Sequence, residues 1–173
     1  MSDIYISDKQ STNLTIIDDT VIDTQSLEKN KKKFTATLLQ LIHDEIFEYG
    51  TLNSADSFVR ESLKSNKFVK EWINEIFLKH FSNIEIITGI LKIISHITYS
   101  DIYPTGQTMA IAALSHKDIE VKECGIRAFE NWDAIDSIDL LKKVDCQEEW
   151  LVDYLEEVIS YLEECREHTC KKN

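Results

Sequence analysis

The segment CREHTC at residues 165–170 groups residue types that can bind zinc. Cys165, His168 and Cys170 would supply two thiolates and one imidazole. Structural zinc sites, however, take their ligands from closely spaced pairs on fixed loops. Here Cys165 belongs to the apolar stripe of the last predicted helix, and the other two residues fall in a terminal tail, where order is usually low. We therefore predict no metal site and no other cofactor.

Nucleophilic catalysis has little support in the sequence. The chain contains neither a G-x-S-x-G nucleophile motif nor a glycine-rich phosphate-binding loop. His96 lies on an almost wholly apolar predicted helix, where we expect a hydrogen-bonded core histidine. His116 lies in a predicted turn, where we expect a solvated side chain. We predict no catalytic residues and no enzymatic activity.

Carboxylates dominate the polar positions of the last predicted helix, residues 147–167. Asp153 and Glu157 form one of several like-charged pairs at i,i+4 spacing, and each such pair costs a few tenths of a kcal/mol. Two interpretations remain open: the acids provide solubility, or they form a face for the lysine and arginine residues of a partner. The predicted partner-binding residues are Glu148, Glu149, Asp153, Glu156, Glu157, Glu163 and Glu164.

The whole chain is acidic, with a net charge of −12. Such a surface repels phosphate backbones, and the single basic run, KNKKK at 29–33, is short and flanked by acids. We therefore predict a basic protein partner and no nucleic acid. The chain starts without a secretory signal pattern and has no apolar run of membrane-spanning length, so we expect a cytoplasmic protein that does not bind membranes.

The elements that would position these residues are helices. Few glycines and a single proline favour an all-α fold over turn-rich β architectures. From Ser26 onward, apolar residues recur with a 3.6-residue period, and short polar turns separate the helical segments. Residues 1–25 differ, because NLTIIDDTVID is β-branched and either forms a hairpin or remains a loosely ordered arm. We thus predict an N-terminal arm over 1–25 and a helical domain over 26–173.

Local signals refine this prediction in the C-terminal two-thirds. The motifs SNIE at 82–85 and SHKD at 115–118 fit capping boxes that would begin helices with Ser82 and Ser115 as caps. Trp132 and Trp150 both lie on apolar stripes, so we expect both in the core. The central GIRAF segment contains Gly125, which is tolerable in a helix if a neighbouring helix approaches closely there.

The stretch LSHKDIEVKECGIRAF resembles the second half of a HEAT-type repeat. In that family a first helix is followed by a tight turn, an Asp and a second helix with a Val-basic pair above small residues. The matching residues here are Asp118, Val121, Lys122, Cys124, Ala128 and Phe129. The resemblance implies a short α-solenoid of antiparallel helix pairs, clearest over 68–166, that binds a partner along one face. It implies nothing about chemistry.

The small size, the acidity and the C-terminal segment EEWLVDYLEEVISYLEE also resemble immunity proteins of bacterial polymorphic toxins, including those of contact-dependent growth inhibition systems. This resemblance implies a protein that neutralises a basic toxin domain, such as a nuclease, by direct complex formation. The alternative is a generic HEAT-repeat adaptor. Enzymes with helical-repeat folds include DNA glycosylases and lyases that act on bilin chromophores. Glycosylases need a basic groove, and the net charge argues against one, whereas nothing in the sequence calls for lyase activity.

Overall fold

The structure, a computed structural model, describes residues 14–17, 20–47 and 51–170. The described chain is predominantly α-helical, which confirms the predicted all-α class. It begins with an antiparallel pair of strands, β1 (Leu14–Ile17) and β2 (Thr20–Asp23), in which Leu14 pairs with Asp23 and Ile17 with Thr20. The division into an arm and a helical domain at residue 25 stays a prediction, because residues 1–13 and residues 18 and 19 lie outside the described residues.

Helices make up most of the described chain after β2. Their bounds are α1 Thr24–Asp44, α2 Ser54–Ser65, α3 Val69–Lys79, α4 Ile84–Ser95, α5 Tyr99–Ile102, α6 Thr105–Leu114, α7 Ile119–Asn131, α8 Ile138–Leu141 and α9 Glu149–Cys170. A 3₁₀ turn, Ile135–Ser137, precedes α8. The sequence pattern predicts that the almost wholly apolar helix containing His96 extends from Ile84 to Tyr99. That end is wrong, because α4 stops at Ser95 and the separate short α5 follows.

Helix contacts repeat along the chain. The helix α3 packs against α4, and α6 packs against α7. Each member of the second pair also contacts its counterpart in the first, α6 lying on α3 and α7 lying on α4. The pair α1 and α2 contacts both α3 and α4, and α9 contacts α7. Burial of one continuous apolar core between these layers stabilises the described helices together.

Asparagine and aspartate side chains begin four of these helices, and the first is Asp23, which caps α1 by accepting from the Gln25 N–H. Asn53 caps α2 in a capping box with Asp56, and Asn83 and Asp118 cap α4 and α7 by accepting hydrogen bonds from backbone N–H groups of the first turn. The predicted caps Ser82 and Ser115 are therefore wrong. Asn and Asp are N-caps at least as good as Ser, so the residue nearer the helix takes the role.

The tight contact predicted at Gly125 is confirmed. A Cβ atom added at this position would lie 3.0 Å from the Ala110 carbonyl oxygen and 3.1 Å from the Ala113 Cβ atom, both on α6. Helix α7 can therefore approach α6 closely only because this residue has no side chain. Cys124 and Ala128 are buried at the same seam, as small packing residues.

The aromatic and histidine predictions have mixed outcomes. Trp132 is buried, and its indole N–H donates to the carbonyls of Ile94 and Ile97, as expected for a core tryptophan. The prediction for Trp150 is wrong, because 49 % of this residue is exposed at the start of α9. The prediction for His116 is also wrong: it is buried, and its ring bridges the Phe81 carbonyl and the Asp118 N–H. Within the described residues, no helix combines the length and apolar character needed to cross a bilayer.

Candidate functional site

One concave feature of the described chain is an open cleft of about 910 Å³, here called the central cleft. Its walls come from the second helix of each pair, α2, α4 and α7, together with α9. The lining residues are Leu52, Arg60, Lys92, Ser95, His96, Arg127, Glu130, Asn131, Asp133 and Tyr161. A volume of this size lies within the range of ligand-binding clefts.

Three cationic side chains line the central cleft, one from the second helix of each pair. Arg60 lies on α2, Lys92 on α4 and Arg127 on α7. Each directly follows a fully buried aliphatic residue, and those residues are Val59, Leu91 and Ile126. The cations therefore lie at the edge of the core, with Lys92 and Arg127 at the same distance along the chain from their helix caps, and we call the three the cationic row.

The members of the cationic row differ in their partners. The Lys92 Nζ atom lies 3.3 Å from a Glu120 carboxylate oxygen, and the Arg127 guanidinium lies 2.9 Å from Glu123 and 5.2 Å from the centre of the Tyr154 ring. Arg60 is exposed, donates to the His96 carbonyl at 2.9 Å and forms no ion pair with a described residue. Lys92 and Arg127 are thus held by ion pairs with glutamates, whereas Arg60 is open to solvent.

Behind the row, polar side chains tie the helices together. His96 Nδ1 lies 3.0 Å from Asp56 Oδ1, and the other oxygen of that buried carboxylate accepts from the Asn53 N–H. The Ser95 hydroxyl accepts from the Asn131 amide and donates to the Lys92 carbonyl. The expected hydrogen bond of His96 is confirmed, although its partner is a carboxylate of another helix.

The structure places the predicted partner-binding acids at the start of α9 and along it. Glu148, Glu149, Asp153, Glu156, Glu157 and Glu164 are exposed, and none of these six forms an ion pair with a described residue. Glu163 is different, because Lys142 donates to it at 2.6 Å and lowers its pKa, with a smaller contribution from Arg166. Glu163 therefore serves at least partly to hold α9 to the segment after α8.

Two exposed aromatic residues share a face of α9 with some of these acids. At 100° per residue, Trp150, Asp153, Glu157, Tyr161 and Glu164 fall within one stripe, on the side away from buried Leu151 and Leu155. We call these five residues the α9 stripe. Tyr161 is 43 % exposed, and it lines both the central cleft and a shallow groove formed by Asp153, Glu156, Glu157, Ser160 and Glu164. The stripe and the cleft are therefore continuous surfaces that meet at Tyr161.

Tyrosine hydroxyls define the border between the two surfaces. Tyr161 donates to Asp133 at 2.6 Å, and Tyr154 donates to Glu130 at 2.6 Å. Burial, followed by the Glu130 hydrogen bond, raises the pKa of Tyr154 well above its ordinary value, and the Asp133 hydrogen bond raises that of Tyr161. Both carboxylates that line the cleft beside α9 thus have a neutral donor from α9.

Residues considered for metal or nucleophilic chemistry do not come together in the described chain. Cys124 is buried at the α6–α7 seam, Cys146 lies in a half-buried groove near α8, and Cys165 lies on α9. Burial raises the pKa of the Cys146 thiol, which disfavours the thiolate. No cluster of three potential metal ligands occurs among the residues of the described ranges.

A spacing in the sequence relates two members of the cationic row, Lys92 and Arg127, although the acidic composition gives no indication of them. The N-caps Asn83 and Asp118 lie 35 residues apart, and so do Lys92 and Arg127, as well as Ile97 and the Trp132 that bonds to it. Aligning the two helices on their caps would have placed both cations at one repeat position. Tyr161 was not predicted as a binding residue, because only the charged residues of this helix indicated a binding face.

Comparisons with known proteins give no relative on which a role could be based. No family model matches the chain, and neither a curated protein nor a solved structure gives a significant match.

Proposed function

We propose that this chain is a protein-binding module that holds a basic partner protein on the α9 stripe. The observation that carries the proposal is the pairing of exposed aromatic residues with free carboxylates on one helix face. Trp150 and Tyr161 provide rigid contact area of the kind that dominates binding energy at interfaces. The acids between and beside them supply charge for lysine and arginine side chains, which also stack on aromatic rings.

The energetics of α9 support a role outside the fold. Like charges at i,i+4 spacing, such as Asp153 and Glu157, weaken a helix slightly, and solvent-exposed Trp150 adds nothing to the core. Elsewhere in the described chain, charge is used differently, for example in the Arg127–Glu123 pair on α7. Residues that cost stability and remain exposed are expected where a partner compensates for them.

The arrangement of the helices supports a short HEAT-like solenoid as the scaffold. Paired helices with counterpart-on-counterpart contacts are a feature of stacked repeats, and the caps of α4 and α7 lie at matching places in their pairs. In such a stack the second helices form one continuous binding face, which here carries the central cleft.

The specific role we propose is that of a cytoplasmic immunity protein, which neutralises a basic toxin domain such as a nuclease. An acidic surface competes with nucleic acid for the basic active-site face of a nuclease, and the net charge of −12 accelerates encounter with a cationic partner. Binding alone accounts for this role, so no catalytic residues are required.

Co-expression with the product of the neighbouring gene tests this role. We expect a complex that survives size-exclusion chromatography and a loss of nuclease activity in the bound partner. The matched variant D153K/E157K should abolish both, whereas E28K/E71K, with the same charge change on α1 and α3, should abolish neither. Failure of the wild-type chain to form a complex would refute the toxin-inhibitor role.

A generic adaptor is the second candidate, and the central cleft favours it. A cleft that carries both cations and acids suits a cellular protein segment better than a purely basic toxin surface. Purification of the chain with a housekeeping assembly, dependent on Arg60 and Lys92, would support the adaptor role.

A further inference from the structure

The cationic row is unexpected in a chain of net charge −12 and is not explained by binding of a basic partner. Arg60, Lys92 and Arg127 all line the central cleft, and they come from three helices that contact one another in sequence, α2 with α4 and α4 with α7. Packed helices lie 8–10 Å apart, so the row extends over about 16–20 Å. That length exceeds a single small anion and corresponds to about five or six residues of extended polypeptide.

The charges in the central cleft are separated in space. Glu130 and Asp133, its lining acids, accept hydrogen bonds from Tyr154 and Tyr161 at the α9 side. Arg60 lies on α2, at the other end of this series of helices, and forms no ion pair with a described residue. The cation without such a pair therefore lies at the α2 end of the cleft, Lys92 follows in a pair with Glu120, and the lining acids lie at the α9 end.

A second negative region adjoins the α9 end of the cleft. Tyr161 belongs to the central cleft and also to the groove that contains Glu157 and Asp153. The two aromatic residues of the α9 stripe, Trp150 and Tyr161, are about 16 Å apart along the helix. One surface thus presents a cationic half and an anionic half of similar length.

We propose that the central cleft and the α9 stripe together bind one bipolar segment of the partner protein, with acidic residues against the cationic row and basic residues against the stripe. This inference rests on the proposed function for its basic half and adds the acidic half. Charge complementarity selects a polypeptide over a nucleic acid, because a phosphate backbone is uniformly negative and is repelled by the stripe. The opposed charges also fix the direction in which the segment lies.

Labelled peptides of about twelve residues test the inference against the full-length chain. One peptide carries a glutamate block followed by a lysine block, a second has the same composition in alternation, and a third is wholly basic. A single-stranded oligonucleotide serves as the uniformly anionic probe. Affinities are measured by fluorescence anisotropy at low and at physiological ionic strength, because screening separates charge-driven binding from other contacts.

Three charge variants assign the binding to the two halves. R60E/K92E reverses the row, D153K/E157K reverses the stripe, and K79E/K117E makes the same charge change as the row variant at exposed positions outside both. R60E alone is measured as well, because this side chain is exposed and its replacement leaves the Lys92–Glu120 pair intact.

We expect the block peptide to bind at least tenfold more tightly than the alternating one. R60E/K92E and, to a lesser extent, R60E should weaken the block peptide while changing the affinity of the basic peptide by less than twofold. An unchanged block-peptide affinity in both row variants, with binding still lost in D153K/E157K, would overturn the bipolar inference and leave the proposed function standing. Failure of the wild-type chain to bind the basic peptide would overturn the proposed function as well. Row-dependent binding of the oligonucleotide would replace the polypeptide with a nucleic acid.

Discussion

The helices α7 and α9 pack against each other, yet they use their polar residues in opposite ways. On α7, Glu123 pairs with Arg127, Asp118 caps the first turn, and Trp132, just after the helix, is bonded to two carbonyls of the α4 layer. On α9, the acids of the stripe have no cationic partner among the described residues, and Trp150 is half exposed. The polar residues of α7 therefore stabilise the fold, whereas one face of α9 is exposed to solvent. Changes on α7 should therefore alter stability, and changes on the stripe should alter binding.

The largest expected effect is at the α6–α7 seam. Gly125→Leu should lower the free energy of unfolding by about 3 kcal/mol, because its side chain would overlap the Ala110 carbonyl and the Ala113 methyl group. Urea denaturation followed by circular dichroism measures the change. Gly125→Ala is the matched control, since a gain of about 1 kcal/mol in helix propensity offsets part of the contact. Equal stability of the Leu variant and the wild type would refute the close approach.

The link between the two helices should show a pH dependence. Tyr154→Phe removes the hydrogen bond to Glu130 and should cost about 1.5 kcal/mol at neutral pH. The folded pKa of Tyr154 is raised above the ordinary value of 10.0, so its contribution is complete below pH 10 and declines as the pH rises further. The difference between wild type and variant should therefore shrink above pH 10 in thermal melts.

A second tyrosine provides the comparison for that measurement. Burial raises the pKa of Tyr99 to about 12, so the stability linked to it should disappear between pH 10 and pH 12. Tyr99→Phe should accordingly flatten the alkaline stability profile within that interval. A profile that is identical for wild type and both variants would contradict the assigned environments.

The cap of α7 should have a smaller effect. Asp118→Ala removes the acceptor for the Glu120 and Val121 N–H groups and should destabilise the chain by about 1 kcal/mol. Lys117→Ala, the adjacent exposed position, should leave the unfolding midpoint unchanged. If Ser115 were the cap instead, Ser115→Ala rather than Asp118→Ala would produce the loss.

The smallest effect on stability is expected on the α9 stripe, with the opposite sign. Glu157→Lys replaces a like-charged pair with Asp153 by an attractive one and should raise the free energy of unfolding by at most about 0.5 kcal/mol. Affinity for a basic partner should fall in the same variant. Destabilisation by Glu157→Lys would show that the stripe belongs to the fold.

Much of the helical order followed from the sequence because apolar spacing and polar turns are local signals. The predicted start of the helical pattern near Ser26 agrees closely with the start of α1 at Thr24. The errors at Ser82 and Ser115 arose from choosing between adjacent capping residues, which depends on backbone geometry that a motif does not specify. The break after Ser95 was missed because the apolar pattern continues through Ile97 without a helix breaker.

The candidate site was only partly predictable, because it depends on which side of each helix meets a neighbour. The acids of α9 were found from their like-charged spacing, which is visible in one segment. Trp150 was wrongly predicted to be buried, because it lies near the boundary between the apolar and acidic faces of α9. The cationic row joins three helices, and an alignment of the chain on its own caps would have matched Lys92 with Arg127 but not with Arg60, so the full row required the structure.

The central claim is that the α9 stripe binds a basic protein. The most direct measurement is differential co-purification, in which wild type, D153K/E157K and the charge-matched control E28K/E71K are isolated from the native host and their bound proteins are identified by mass spectrometry. We predict a basic protein in stoichiometric amount with the wild type and with E28K/E71K, and its loss from D153K/E157K. Recovery of that protein with all three chains would contradict the claim, as would the absence of any stoichiometric basic protein from the wild type.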